Sequence, residues 1–331
     1  MDRKLRIGIV GVGHFGKNHV RSLKDSQFDL IGFYDINKTT SDEVEEEFSV
    51  KQFPSYAALL KEVDVIDVVV PTLSHFEVAE EAILNGKHVF IEKPVTSSIE
   101  EALSLKKLSK KYQVKIQVGH IERFNPAFTA VKDLISKPKF IELHRLGQFH
   151  PRNKDVPVVL DLQIHDIDII LNIVQSEPVE IHSSGVEIIS DSPDITNSRI
   201  RFKNGCVVNM TSSRISMKQM RKLRLFQPHA YISIDFLEKK AELVQVNNVT
   251  EKVDDPFALI MDLGEGKPKK QIFFEKPEVK PVNAMVEELN SFYNAIINDT
   301  QPEVSIDDGY SALKLAMEII EKMNSDIEVE D

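Results

Sequence analysis

The chain has 331 residues, 42% hydrophobic and 28% charged, with a formal net charge of −11. That length accommodates two domains with separate cores. The acidic balance excludes a general nucleic-acid binder while leaving room for a local cationic site that takes a small anion. No apolar run reaches the roughly 18 residues of a membrane span, no signal peptide precedes the first strand, and the single cysteine, Cys206, has no partner for an internal disulfide; the expected setting is a reducing cytoplasm, with neither membrane nor nucleic acid as partner.

In chain order, LRIGIV (5–10) reads as a strand, HFGKNHVRSLKD (14–25) as a helix, DLIGFYD (29–35) as a second strand and SDEVEEEF (41–48) as an acidic helix. VDVIDVVVP (63–71) reads as a strand, HFEVAEEAILNGK (75–87) as a helix stopped at Gly86, and HVFIE (88–92) as a strand. Ser98 and Glu101 have the spacing of a capping box for a helix to about Tyr112, and VKIQVGH (114–120) follows as another strand. Such alternation predicts parallel βαβ units, an α/β domain over residues 1–121. The texture then changes. NPAFTAVKDLI (125–135) reads as a helix, FIELHRLGQF (140–149) as a strand and VPVVLDLQIHDIDIILNIV (156–174) as a helix. Successive strands run from 179 to about 245, residues 247–282 read as irregular, and helices lie around 283–298 and 308–324. Residues 122–331 are therefore expected to form an α+β domain with a mostly antiparallel sheet, its C-terminal helices able to pack back on the first domain.

GVGHFG (11–16) is G-x-G-x-x-G after a strand and opening a helix, the context in which that motif binds a dinucleotide. Gly11 permits the tight turn, Gly13 lets a pyrophosphate approach the backbone, and Gly16 lets the helix pack closely on the strand. His14 and Phe15 flank the phosphate position at the helix N-terminus, where free N–H groups and the dipole favour negative charge. Asp35, ending the second strand, suits a ribose 2′-hydroxyl and repels a 2′-phosphate. The first domain is accordingly expected to be a Rossmann domain binding NAD.

Glu-Lys-Pro occurs twice, at 92–94 and 275–277. Lys93 ends a strand of the parallel sheet, the edge at which such sheets bind ligands, whereas Lys276 falls in the irregular segment and reads as a solvated charge. A second constellation is DLQIHDID (161–168). On a helix, Asp161, His165, Asp168 and Asn172 fall on one stripe of an otherwise apolar surface. Asp161 can orient His165 and support its imidazolium, as a general base requires. The plain alternative is a solvent-facing stripe with a satisfied histidine. No third metal ligand accompanies the pair, so no metal is expected.

GVGHFG, VVPTLSH, IEKPV and DLQIHDID together resemble the Gfo/Idh/MocA family of nicotinamide-dependent sugar oxidoreductases, and the likeness extends to the closing VSIDDGYSALKLAMEII. It implies a Rossmann domain followed by an α+β domain with a large open sheet that serves as an oligomer face, in a dimer or tetramer. It implies that Lys93, Asp161 and His165 line the reaction site, and that Thr72, His75 and Glu92 lie near the nicotinamide. GHIERFNPAF (119–128) and RISMKQMRKLRLFQPHAYISIDF (214–236) resemble the members that act on UDP-N-acetylglucosamine. The function so implied is oxidation of its 3-hydroxyl to a 3-keto sugar, a lipid A precursor suited to an aminotransferase. One physical feature agrees with a nucleotide sugar: Arg214, Lys218, Arg221, Lys222 and Arg224 place five cations in eleven residues, as a diphosphate demands. His120, Arg123 and Asn125 follow the last Rossmann strand and are further candidates for substrate contact. A different sugar, an inositol, or a non-catalytic NAD-binding regulator remain the alternatives. Which of Lys93 and His165 takes the hydroxyl proton is left open.

Overall fold

Strands β1 (Arg6–Val10), β3 (Val65–Val68), β4 (His88–Glu92) and β5 (Ile116–Gly119) are buried nearly throughout, as strands covered by helices on both faces must be. With β2 (Asp29–Tyr34) they form one parallel sheet in the order β2-β1-β3-β4-β5. An isolated parallel bridge between Phe33 and Gln52 extends it past β2. The order reverses between β1 and β3, so a crevice opens at the carboxyl ends of those strands. The computed structural model describes residues 4–149, 156–249, 258–264 and 266–325. It divides into two units, Met1–Phe124 with Val282–Leu315 and Asn125–Pro281 with Ala316–Asp331.

The helices of the first unit begin where capping chemistry places them. α1 (His14–Lys24) starts at Gly13. α2 (Lys38–Phe48) starts earlier than the acidic run suggested, because the Asn37 side chain accepts the Thr40 N–H. α3 (Tyr56–Leu60), too short to show a period in sequence, is capped by Ser55. α4 (His75–Leu84) follows a 3-10 turn at Thr72–Ser74, and α5 (Ile99–Tyr112) opens with the Ser98–Glu101 capping box. The chain returns to this unit with α8 (Ala284–Ile297), which buries Leu289 and Phe292 in the same core as Ile7, Ile9 and Phe90. The Phe292 ring lies 6.3 Å from Phe28 and 6.2 Å from Phe90.

Among the described residues the second unit carries α6 (Pro126–Thr129), α7 (Ile164–Val174) and nine strands: β6 (Phe140–Leu146), β7 (Pro178–Val186), β8 (Ile195–Phe202), β9 (Val207–Ser213), β10 (Met220–Gln227), β11 (Ala230–Asp235), β12 (Lys240–Asn248), β13 (Leu259–Met261) and β14 (Lys270–Glu275). Their order is β13-β14-β12-β11-β10-β6-β9-β8-β7, antiparallel throughout except for β6 beside β9. Buried and exposed residues alternate strictly along β8, so one face of the sheet is packed and the other open. Three expectations change. The helix expected over 125–135 is only the short α6 followed by a separate 3-10 turn at Lys132–Leu134. Residues 247–282, expected to be irregular, supply the edge strand β13 and its neighbour β14, although part of that stretch lies outside the described residues. The helix expected over 156–174 begins as a π turn at Val159–Gln163, and regular α geometry starts only at Ile164. A last helix, α9 (Ile306–Ser325), contains the division between the two units.

The junction of α1 with β1 generates a test. A Cβ at Gly16 would lie 2.2 Å from the Gly11 carbonyl oxygen, a backbone atom that cannot move aside cheaply. Gly16→Ala is expected to lower stability by about 1–3 kcal/mol, read as a fall in the urea midpoint at unchanged slope.

Candidate active site

The glycine loop builds a cavity. Gly11 sits at φ 92°, which favours glycine, and its N–H donates to the Tyr34 carbonyl at 2.9 Å. Gly16 brings α1 down onto this turn, so the N-terminus of α1 opens at the ends of β1 and β3. No side chain caps α1, which leaves its first-turn N–H groups for a ligand. A Cβ at Gly13 would meet nothing within 4 Å, so the space above it is open. The cavity, of about 610 Å³, is lined by Gly11, Gly13, His14, Phe15, Asp35 and Val70 among others. Asp35 is held rigidly at its rim: one carboxylate oxygen accepts the Val12 N–H at 2.7 Å and the other the Asn37 N–H at 2.8 Å. A fixed negative acceptor there suits a ribose diol and repels a phosphate. These residues fit NAD.

Lys93 follows β4 at the carboxyl edge of the sheet, and the Lys93–Pro94 peptide is cis. Glu92 is half-buried and held from two sides. Its Oε1 lies 2.9 Å from His19 Nε2, and its Oε2 accepts the Lys93 main-chain N–H at 3.0 Å. Thr72 opens the half-buried 3-10 turn after β3. His75 is corrected in role: it is 1% exposed, with Nδ1 2.9 Å from the Pro94 carbonyl and Nε2 2.9 Å from the Val70 carbonyl. Burial pushes this imidazole below its ordinary range. The neutral ring has one N–H to give, and it ties the end of β3 to the Lys93 turn rather than facing a cofactor.

In the second unit, the π turn carries Asp161, and His165 lies in the first turn of α7; both are half-buried. A π turn widens the helix and shifts the faces on which later side chains fall, a geometry frequent at functional sites. Burial along the expected polar stripe is uneven. Asp168 is 1% exposed, and Asp166, next to His165, is buried against Arg145, whose Nη2 donates to it at 2.7 Å. Below the π turn Gln163 accepts a hydrogen bond from Ser198 at 3.2 Å.

The residues expected to contact substrate separate. Arg214 is 3% exposed, and its guanidinium donates to Asp194 at 2.8 Å, to the Val156 carbonyl at 2.7 Å and to Ser192 at 3.0 Å. It holds the sheet end together instead of meeting a diphosphate. Burial would raise the Asp194 carboxyl, but the N–H groups of Ile188, Ile189 and Ser190 together with Arg214 outweigh it and hold the group well below the usual carboxylate range. The five-cation cluster does not assemble. Arg221 shares strand parity with the buried Leu223 and Leu225, whereas Lys222 and Arg224 lie on the opposite face of β10, 3.3 Å from Asp235 and 2.6 Å from Glu142. Arg123 is 5% exposed and binds the Glu303 carbonyl and Asp308, and Asn125 caps α6 while donating to the Phe236 carbonyl. Both are anchors of the fold. His120, at the end of β5, is 1% exposed.

A cavity of about 700 Å³ also opens in the second unit, lined by Lys132, Lys137, Lys139, Asn172, Gln175 and Asn204 among others. None of the candidate catalytic or binding residues borders it. It lies at the C-terminus of α7, where helix carbonyls disfavour an anion.

Known proteins agree with this architecture. Residues 5–120 match the sequence profile of the Gfo/Idh/MocA group, described as an oxidoreductase family with an NAD-binding Rossmann fold. The chain is 37% identical over 234 residues to UDP-N-acetylglucosamine 3-dehydrogenase of Acidithiobacillus ferrooxidans, spanning 70% of this chain and 74% of that relative. A solved structure of the enzyme of that name from the same organism superimposes with a TM-score of 0.87 at 30% identity, covering 98% of this chain and 99% of that one. A scyllo-inositol dehydrogenase from Lactobacillus casei, solved with NAD(H) and scyllo-inositol bound, shares the fold at TM-score 0.77 and 18% identity over 98% of each chain.

Two measurements follow. Gly13→Ala is expected to leave stability within about 0.5 kcal/mol of the parent yet weaken NAD binding at least ~10-fold by titration, because the added methyl fills the space above the helix N-terminus. Arg214→Ala strands the Asp194 carboxylate in the interior and is expected to cost about 3–5 kcal/mol in urea unfolding at neutral pH. Because the folded Asp194 carboxyl is depressed, its contribution is present above the ordinary carboxylate pKa of about 3.9 and is lost as pH falls through its lower folded value; the deficit of the variant should shrink in acid.

Proposed function

The chain belongs to the Gfo/Idh/MocA family of oxidoreductases with an NAD-binding Rossmann fold, and we propose that it oxidises the 3-hydroxyl of a UDP-linked N-acetylglucosamine to the 3-keto sugar. The observation that carries the reading is the full-length likeness, at 30% identity over 98% of the chain, to an enzyme named for that reaction. The cavity at the glycine loop, with Asp35 at its rim, supports NAD as its cofactor.

NAD, when bound, supplies the hydride acceptor. The chain's own part is to bind it at the N-terminus of α1, to select it through Asp35, and to handle the hydroxyl proton. Lys93 stands at the sheet edge where the cofactor's reactive end belongs, and its ammonium donates to the hydroxyl oxygen and polarises it. His165 takes a proton as general base, with Asp161 orienting the ring and supporting its positive charge. A positioned base contributes roughly 10²–10⁴-fold. The 3-keto product carries a carbonyl ready for an amine donor, which fits an aminotransferase as the next enzyme.

The test is turnover. With NAD and a panel of UDP-N-acetylglucosamine, free N-acetylglucosamine and inositols, nicotinamide reduction is expected with the UDP-sugar, pulled forward by a coupled aminotransferase. Preference for an inositol would overturn the substrate while sparing the chemistry, and NAD binding without oxidation of any substrate would overturn both. Lys93→Ala and His165→Ala are each expected to lower kcat by at least ~10²-fold with NAD affinity retained.

A further inference from the structure

Beneath the Lys93 turn, the first unit sets two buried titratable side chains, His19 and Asp67, against a half-buried one, Glu92, and the proposed chemistry assigns none of them a part. His19 projects from the inward face of α1 and is 0% exposed. Its Nδ1 lies 2.9 Å from Oδ2 of Asp67 in β3, and its Nε2 lies 2.9 Å from Oε1 of Glu92 at the end of β4. Asp67 is also 0% exposed, and its second oxygen has no hydrogen-bond partner. The second oxygen of Glu92 accepts the Lys93 main-chain N–H at 3.0 Å. Across the sheet, a Cβ at Gly119 would lie 3.1 Å from the Glu92 carboxyl, so glycine leaves room for that group. The Phe90 ring meets His19 edge-on at 5.9 Å.

The chemistry of this arrangement is restrictive. A neutral imidazole has one N–H, yet both ring nitrogens face carboxylate oxygens, which only accept when ionised. Two donors are needed, and the imidazolium supplies them. Burial opposes that charge, but Asp67 and Glu92 outweigh it and raise His19 well above the ordinary histidine range. Burial would likewise raise Glu92, but His19, the Lys93 N–H and the Lys93 ammonium pull it below its usual range, while burial pushes Asp67 up. The remaining titratable neighbour, His75, also feels Glu92 but is kept neutral by its own burial. Charges set in an apolar interior are expensive unless they are paired and hydrogen-bonded, and here His19 pairs with a carboxylate at each ring nitrogen.

We propose that His19 is a positioning residue for the reaction: as a doubly protonated ring clamped between Asp67 and Glu92, it fixes the carboxylate that holds the Lys93 main chain, and so sets where the Lys93 ammonium is presented. This rests on the reading of Lys93 as the group that meets the substrate hydroxyl. His19 touches neither cofactor nor substrate and acts only through Glu92. A displacement of about 1 Å in a reacting group costs on the order of 10²-fold in rate, which is the scale expected when the clamp is lost.

Because a lone His19 substitution leaves the buried Asp67 carboxylate without a cation, the test uses the pair His19→Leu/Asp67→Val, which replaces both buried ions with apolar side chains of similar size and leaves the half-buried Glu92 with the Lys93 N–H. With NAD present, this variant is expected to keep the parent's melting temperature and NAD affinity, while kcat falls on the order of 10²-fold with little change in KM. His19→Gln/Asp67→Val, which can still donate one hydrogen bond to Glu92, should recover part of that loss. A folded pair variant turning over within twofold of the parent would overturn the proposal. Lys93→Ala, assayed alongside, separates the two claims: an active Lys93→Ala sinks the role of Lys93, whereas an inactive Lys93→Ala beside an active pair variant sinks only the role of His19. Ring ¹⁵N shifts of His19 at pH 8 in the NAD-bound protein read the clamp without activity. Two protonated nitrogens support it, and a neutral ring would overturn it.

Discussion

Much of this molecule depends on one close approach, that of α1 to the end of β1. The contact is possible because residue 16 has no Cβ; any side chain there would collide with the Gly11 carbonyl. The approach seats the uncapped N-terminus of α1 over the crevice where the strand order reverses, and so makes the cavity that Asp35 closes at its rim. It also lowers the helix far enough for His19 to reach Asp67 and Glu92 on two neighbouring strands. Cofactor site and charged cluster are thus two consequences of one missing methyl group.

The second unit uses its ionic groups differently. Arg214 with Asp194 and Arg145 with Asp166 are buried pairs with short hydrogen bonds, and each removes from solvent a charge that a sequence would offer to a ligand. A buried guanidinium is tolerable only when its donors are satisfied, and Arg214 gives hydrogen bonds to a carboxylate, a carbonyl and a hydroxyl. These pairs brace the region around the π turn that carries Asp161: Arg214 donates to the Val156 carbonyl before it, and Arg145 to Asp166 after it. Asp168 is buried there, while Asp161 and His165 stay half-exposed.

Polar residues in apolar settings were the informative signal, and some of it was available before any coordinates. Asp67 interrupts an otherwise apolar strand, and His19 falls on the same helix face as Val20 and Leu23. Each alone reads as an ordinary exception. Their partnership depends on which strands are neighbours, and no local pattern carries that. The same holds for His75, for which the family resemblance implied a place near the cofactor, but whose ring bridges two segments brought together by the sheet.

Read alone, the residues determined the alternation of strands and helices, the antiparallel second half, the glycine turn with its acid, and the lysine at a strand's carboxyl end. All are local: periodicity, capping and the φ preference of glycine act within a few residues, so they leave their mark on short stretches. Tertiary structure decided which cations are spent inside the fold, where a helix opens as a π turn, and which carboxylates share a histidine. Those outcomes depend on distance in space between groups far apart in the chain, and the balance between desolvation and pairing that settles each buried charge exists only once the fold has excluded water.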